Sequence, residues 1–244
     1  MPATKRSLQT VSLRLGDLWH RRRRVHVLHI GKTAGTALRE AVLAVPLDDP
    51  GRIRFIHHGH YQHLDALPRR DGYAFALRDP ATRFVSGFYS RKRQGLPRYH
   101  IPWTPEEARA FATFDHAVDL ARALGEDGDG RAAAAMAAIR HVRDFQSDWL
   151  AGYADPFAER PPVFVLRQER FEADLAEMFR RLGIVSRRPP PRDEIGAHRT
   201  DYAGVPPLDD VARANLRRWY ARDYDLIDRA EVWRAAQGIG PGTP

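Results

Sequence analysis

The chain has 244 residues, of which 43% are hydrophobic and 10% aromatic, which is enough for one large folded domain and excludes a disordered chain. It contains no cysteine, which excludes disulfide frameworks, thiol nucleophiles and cysteine-ligated zinc sites and suits a cytoplasmic location. Lys and Arg outnumber Asp and Glu by 39 to 31, and the resulting net charge of +8 favours anionic ligands.

The sequence predicts a basic N-terminal extension over residues 1–24 and a single domain over residues 25–244. The segment 11–19 is amphipathic and is followed by arginines at positions 21–24. This order is the reverse of a secretory signal. It predicts either a solvated extension or an arm that contacts an anionic membrane surface or another polyanion. No apolar stretch reaches the ~20 residues that a membrane-spanning helix requires.

Beyond the extension, short apolar runs alternate with amphipathic stretches. The apolar runs predict strands over residues 25–30, 52–57, 73–77 and 163–166. Amphipathic patterns and capping residues predict helices over residues 36–45 and 81–93, from residue 105, and over residues 131–150, 171–182, 208–220 and 224–236. This alternation predicts the α/β class, a P-loop-like three-layer fold with a central parallel sheet flanked by helices.

The sequence LHIGKTAGTAL, residues 28–38, connects the first predicted strand to the first predicted helix. A lysine in such a small-residue loop is typical of a phosphate site, because backbone N–H groups, the helix N-terminus and the ammonium all attract an anion. In the Walker loop of nucleoside triphosphatases the lysine follows the last glycine, whereas Lys32 here precedes Gly35. The order therefore predicts a different phosphate-bearing ligand.

A second anion-binding pattern follows the strand predicted over residues 73–77. Arg78 comes directly after it, Asp79 and Pro80 open a helix, and Ser86 lies on that helix. The guanidinium of Arg78 and the hydroxyl of Ser86 both suit a phosphate. Because ligands of open α/β sheets bind at the carboxyl ends of strands, two such sites suit a nucleoside that carries phosphates at both ends.

Together the two segments resemble sulfotransferases that use 3′-phosphoadenosine 5′-phosphosulfate (PAPS). Residues 28–38 resemble the 5′-phosphosulfate loop of that family, and ALRDPATRFVSGFYS, residues 76–90, resembles its 3′-phosphate segment. The similarity is greatest to the carbohydrate and Golgi-type branch, the uronyl 2-O-sulfotransferase-like proteins and their bacterial relatives, which commonly have H-I-P-K-T-G-G-T and R-D-P-x-x-R-x-x-S. It spans residues 25–93 and continues more weakly towards the C-terminus.

This resemblance implies a PAPS-dependent sulfotransferase that moves the sulfuryl group to a hydroxyl of a carbohydrate, with no metal. The excess of arginine favours an acidic carbohydrate as the acceptor, although a lipid or a small metabolite is also compatible. It implies PAPS-binding roles for Lys32, Thr33, Ala34, Gly35, Thr36, Ala37, Arg78 and Ser86, and for Arg199 in a late basic loop. Ala34 stands where the family often has glycine, so we expect ordinary backbone angles there. The variable segments 94–104 and 186–206 are expected to select the acceptor.

The sequence His58-Gly59-His60 matches a His-Gly-His of the same branch, in which one histidine is taken as the base. An acceptor hydroxyl is a poor nucleophile until its proton is removed, and a neutral imidazole suits that step. We therefore expect His60 or His58 to be the general base, and Lys32 to neutralise the charge that builds on the leaving phosphate oxygen. His29, which precedes the lysine loop, is expected to pack against it or orient it.

Two other functions are also compatible with the sequence. An atypical P-loop kinase would use the same loop, although the chain lacks the G-K-[ST] sequence and a clear magnesium-binding aspartate after a strand. A non-catalytic protein that binds polyanions would use the net charge and the arginines at 21–24, and its binding would fall steeply with salt. The sulfotransferase hypothesis predicts no nucleic acid as a binding partner.

Overall fold

The computed structural model describes residues 22–97, 99–126, 128–185 and 204–240. Four strands form the central sheet: β1 (Arg23–Val27), β2 (Ile53–His57), β3 (Gly72–Leu77) and β4 (Phe164–Arg167). Their order is β2-β1-β3-β4, and each neighbouring pair is parallel. The predicted α/β class with a parallel sheet is confirmed.

Helices connect the strands and complete the chain. They are α1 (Gly35–Leu43), α2 (Pro80–Lys92), α3 (Pro105–Thr113), α4 (Ala117–Ala123), α5 (Arg131–Ala138), α6 (Pro156–Glu159), α7 (Phe171–Leu182), α8 (Asp210–Trp219) and α9 (Ala221–Ala236). Short 3₁₀ turns lie at Leu64–Ala66, Gln146–Leu150 and Gln168–Arg170.

The sheet lies between two apolar layers because alternate side chains of its buried strands point to opposite faces. Val25, Val27 and Ala74 pack with α1 and α7 on one face. Tyr73 and Phe75 pack on the other face with the 3₁₀ turns and α9. A third apolar cluster unites α2, α3, α4, α5 and α8 beside the sheet. The three-layer arrangement expected from the sequence is thus present, with a helical group added at one side.

Two capped helix starts were readable in the sequence and position important residues. Asp79 accepts a hydrogen bond from the Thr82 N–H at 2.8 Å, and Pro80 occupies the first turn of α2. Thr104 and Glu107 form a capping box at the start of α3. The start of α2 is therefore fixed locally, immediately after the end of β3.

Several boundaries differ from the sequence prediction. β1 ends at Val27 rather than at residue 30, because the chain turns into the lysine loop although its apolar residues Leu28 and Ile30 remain buried. The alanine-rich helix predicted over residues 131–150 ends at Ala138. Ile139 at the C-cap adopts an extended backbone with φ of −74° and ψ of 115°, which ends the helix, and His141 beyond it has a left-handed conformation with φ of 69°. α4 and α6 were not predicted.

None of the described helices is both long enough and apolar enough to cross a membrane. The amphipathic segment 11–19, the arginine at position 21 and residues 186–203, which include the predicted ligand Arg199, lie outside the described residues.

Candidate functional site

The loop between β1 and α1 has an unusual backbone. Lys32 has φ of 68° and Ala34 has φ of 66°, both in the left-handed region that L-residues other than glycine rarely adopt. The buried Thr33 side chain donates to the Ile30 carbonyl at 3.0 Å and holds the turn between them. The expectation of ordinary backbone angles at Ala34 is wrong, because the turn places this residue at the N-cap of α1 in a left-handed conformation. Local strain of this kind is common at binding sites.

Substitution of Ala34 by glycine is expected to raise the free energy of unfolding by about 0.5 kcal/mol. Relief of a left-handed alanine contributes about 1–2 kcal/mol, and the greater freedom of glycine in the unfolded chain offsets about 0.5–1 kcal/mol of that gain. Urea unfolding of the two proteins measures the difference. A destabilised Ala34→Gly variant would contradict the backbone conformation described for this loop.

Gly35 begins α1 beneath the imidazole of His29. A Cβ atom at residue 35 would overlap the His29 ring, so only glycine allows this close packing. Gly35, Thr36 and Ala37 form the first helical turn, where backbone N–H groups have no intrahelical acceptor. The predicted loop ligands therefore lie at a helix N-terminus that follows the carboxyl end of a strand.

Arg78 lies next to this loop because β1 and β3 are neighbours in the sheet. Its Nη1 is 3.4 Å from the Lys32 carbonyl oxygen, and its Nε donates to Thr82 Oγ1 at 3.1 Å. Ser86 lies farther along α2 and is buried. The structure thus brings the two predicted anion segments, 46 residues apart between Lys32 and Arg78, to one edge of the sheet.

The backbone of Arg78 is held by Gln146, which is fully buried. The Arg78 N–H donates to Gln146 Oε1 at 3.0 Å, and Gln146 Nε2 donates to the Arg78 carbonyl at 2.8 Å. The Gln146 N–H in turn donates to Asp223 Oδ2 at 2.9 Å. Burial raises the pKa of Asp223, although hydrogen bonds from Gln146 and Ser147 oppose that shift. These hydrogen bonds connect Asp223 on α9 through Gln146 to Arg78, and so they hold the start of α2 in place.

Arg83 joins the lysine loop to the segment after α5. Only 1% of this residue is exposed. Its Nε donates to the Gly31 carbonyl at 2.8 Å, and its Nη1 donates to the Asp144 carbonyl at 2.6 Å. Its Nη2 is buried and has no hydrogen-bond partner within the described residues. Arg83 therefore connects two loops of the site, and the N–H groups on its Nη2 remain available to donate.

Positive charges converge on Lys32. Burial is the largest of the causes that lower the pKa of Lys32 to about 8, and the charges of Arg78, Arg93 and Arg83 contribute in that order. Arg93, at the C-cap of α2, was not singled out from the sequence. Four cationic side chains that repel one another form a site whose electrostatic cost an anionic ligand would relieve.

Four imidazoles form a cluster beside the same loop. The His60 ring centroid lies 4.0 Å from that of His29 and 6.0 Å from that of His141, and the His29 and His57 centroids are 5.1 Å apart. Burial lowers the pKa of His60, and the charge of Arg140 lowers it further. His60 Nδ1 is buried without a hydrogen-bond partner among the residues that the structure describes. At neutral pH His60 is therefore an uncharged imidazole.

His58 has a different partner, which lies in β1. Its Nε2 is 2.7 Å from His26 Nδ1. Burial lowers the pKa of His58 to about 4, and the neighbouring His26 contributes to the shift. The two histidines proposed as bases, His58 and His60, thus lie in different surroundings although one residue separates them.

Arg93, Arg140 and His141 were not predicted from the sequence as parts of this site. His141 is buried, and its Nδ1 would lie 3.0 Å from a Cβ atom on Gly31, so the two residues are closely packed. Burial and the charge of Lys32 lower the pKa of His141 well below its usual value. No group of three His, Cys, Asp or Glu side chains in the described ranges is arranged to hold a metal ion.

Comparisons with family models, with curated proteins and with solved structures find no significant match to this chain.

Proposed function

We propose that the protein is a PAPS-dependent sulfotransferase that transfers the sulfuryl group to a hydroxyl of an acidic carbohydrate. The observation that carries this proposal is the convergence of Lys32 and Arg78 at the ends of neighbouring strands, with further guanidinium groups and no compensating carboxylate among the charges that shift the pKa of Lys32. A nucleotide that carries two phosphate groups suits such a site better than a single phosphate does.

In this proposal the lysine loop and the first turn of α1 bind the 5′-phosphosulfate, and Arg78 with Ser86 binds the 3′-phosphate. The acceptor oxygen forms a bond to sulfur while the bond from sulfur to the 5′-phosphate oxygen breaks. The acceptor proton moves to a neutral imidazole, that of His58 or His60. The Lys32 ammonium stabilises the negative charge on the departing phosphate oxygen. The products are a sulfate ester and adenosine 3′,5′-bisphosphate.

An acidic acceptor is supported by the surface next to His60. Tyr61 is 85% exposed, and its hydroxyl lies 3.5 Å from Arg140 Nη2. An exposed ring can pack against a sugar, and the guanidinium can bind a carboxylate or sulfate on it. A cytoplasmic location and contact of the basic N-terminus with an anionic membrane belong to the same proposal.

The proposal is tested by titrating the purified protein with adenosine 3′,5′-bisphosphate and, separately, with ATP and Mg²⁺. We expect the bisphosphate to bind in the absence of metal and at elevated salt, and PAPS with an acceptor panel to release bisphosphate. Preferential binding of ATP and Mg²⁺ would favour the kinase alternative. Binding that disappears with salt and ignores substitution of Lys32 would favour a non-catalytic polyanion-binding protein.

Binding of the bisphosphate at pH 8 is expected to take up about half a proton per site. Lys32 has a pKa of about 8 without ligand, so half of its population is neutral there, and the bound anion raises that pKa. The lowered pKa values of His58 and His60 keep both uncharged at pH 8. Calorimetry in buffers of different ionisation enthalpy measures the uptake.

At pH 6 Lys32 is already charged, so its uptake should vanish. The Lys32→Ala variant should show none at pH 8. Equal uptake by the variant and the parent would contradict the assignment of the proton to Lys32.

A further inference from the structure

A hydrogen-bonded chain runs from a buried carboxyl group to His58 at the end of β2. His26 Nδ1 lies 2.7 Å from His58 Nε2, and His26 Nε2 lies 3.0 Å from Asp71 Oδ2. The side chains of His26 and Asp71 are only 6% and 7% exposed, whereas His58 is partly exposed. The chain therefore links the interior to the edge of the sheet that carries the lysine loop.

The two imidazoles are arranged for a hydrogen bond in the plane of the rings. The planes of His26 and His58 differ by 13°, and their centroids are 5.0 Å apart. The two nitrogens are much closer than the centroids, at 2.7 Å, so the rings meet edge to edge rather than face to face. A proton lies between these nitrogens.

The carboxylate determines where that proton resides. An ionised carboxylate can only accept, so His26 carries its proton on Nε2. Burial lowers the pKa of His26, although Asp71 opposes the shift, and the ring is neutral at pH 7. His26 Nδ1 therefore accepts, and His58 Nε2 donates. The remaining lone pair on the two rings is at His58 Nδ1.

We propose that His58, through Nδ1, is the proton acceptor in the transfer, and that His26 and Asp71 are positioning residues that fix its tautomer. The role of His58 as proton acceptor rests on the proposed function, whereas the tautomer of His58 rests only on the hydrogen bonds that connect it through His26 to Asp71. The acceptor hydroxyl gives its proton to His58 Nδ1 as its oxygen bonds to sulfur and the bond to the 5′-phosphate breaks. The carboxylate of Asp71 stabilises the resulting imidazolium through His26.

The charges around the two candidate histidines favour this assignment. A base becomes cationic when it accepts a proton, and the charges of Arg140 and Lys32 oppose a positive charge on His60, although Asp144 favours it. His58 is instead connected through His26 to the carboxylate of Asp71. Arg24 lies 3.7 Å from Asp71, and the charge of Arg160 acts on His26, so both cations moderate the effect of the carboxylate.

Nitrogen-15 NMR of the histidine side chains tests the tautomer without any activity assay. We expect His58 to carry its proton on Nε2 at pH 7 in the parent protein. In the isosteric Asp71→Asn variant the amide can donate to His26 Nε2. Each hydrogen bond from residue 71 to His58 is then expected to reverse its donor and acceptor, which places the His58 proton on Nδ1. A parent spectrum with the His58 proton on Nδ1 would overturn the inference.

Kinetics of the same variant test the role in transfer. Asp71→Asn is expected to lower kcat about 10²-fold or more while the KM for PAPS changes little, since the group lies outside the anion site. Substitution of the exposed His63 by Asn is the matched control and should leave both constants unchanged. Parental kcat in folded Asp71→Asn would overturn the role of His58. Absence of turnover by the parent would overturn the proposed function and this role with it, while the spectrum would still decide the tautomer.

Discussion

The Lys32→Ala variant is expected to lose about 10²–10³-fold in kcat for sulfuryl transfer. Lys32 is held in a left-handed turn next to Arg78, and burial keeps its ammonium in poorly solvated surroundings. A charge in such a place stabilises an anion more strongly than a solvated lysine does. Because charge builds on the leaving oxygen mainly in the transition state, the loss should appear in kcat at saturating PAPS. Release of adenosine 3′,5′-bisphosphate measures it.

Two variants complete this experiment. Lys92→Ala removes a lysine at the end of α2 that is bonded to Asp115, and it should keep parental kcat. Lys32→Arg keeps the charge but replaces a compact ammonium by a planar fork, so it should recover only part of the activity. The assigned role would be refuted by a folded Lys32→Ala protein that retains more than about a tenth of the parental kcat, because a loss of that size is within the effect of a single weak contact.

The parts of the site that could be predicted from the sequence are those encoded by neighbouring residues. The lysine loop follows an apolar strand, and Asp79 with Pro80 marks the start of α2 wherever the rest of the chain goes. The adjacency of β1 and β3 does not follow from chain order, because β2 lies between them in the sequence and pairs with the other side of β1. Local signals therefore placed Lys32 and Arg78 at the carboxyl ends of parallel strands, and the order of the strands brings the two ends together.

Arg140 and His141 could not be predicted because tertiary contacts decide where they lie. The alanine-rich composition favours a helix through this segment, and intrinsic propensity alone continues it to residue 150. In the structure the Arg140 N–H donates instead to Glu107 Oε1, and the His141 N–H donates to Asp144 Oδ2. These bonds compensate for the lost helical ones and turn the chain towards the lysine loop.

The hydrogen bonds that connect Asp71, His26 and His58 could not be predicted from the sequence either. His26 lies between the buried Val25 and Val27 of β1, and this position alone gives no indication of its partner. Asp71 lies in a turn before β3, a position where aspartate is common for reasons of turn geometry alone. Only the parallel register, which pairs His26 with Ile56 and with Tyr73, brings these side chains and His58 together.

The Glu107→Ala variant is expected to lose about 3–5 kcal/mol of unfolding free energy. Glu107 is 1% exposed and accepts from Arg91 Nε at 2.8 Å and from Arg91 Nη2 at 2.5 Å. It also accepts from the N–H groups of Thr104 and Arg140, both at 3.1 Å. Removal of its carboxylate leaves the buried Arg91 guanidinium without its anionic partner and frees the segment that carries Arg140. Urea unfolding at pH 7 measures the loss.

The adjacent Glu106 is a matched control in the same helical turn. Its side chain is 57% exposed and pairs with Arg109, so Glu106→Ala should destabilise the fold far less than Glu107→Ala does. Burial raises the pKa of Glu107, but the bonds from Arg91 and from the two backbone groups outweigh burial and hold that pKa below 4.5. A lowered carboxyl pKa stabilises the fold above pH 4.5 and loses its effect as the pH falls through the folded-state pKa. The difference between the parent and Glu107→Ala should therefore be complete at pH 7 and shrink in acid. Equal losses in the two variants would show that the buried network does not hold α2, α3 and the Arg140 segment together.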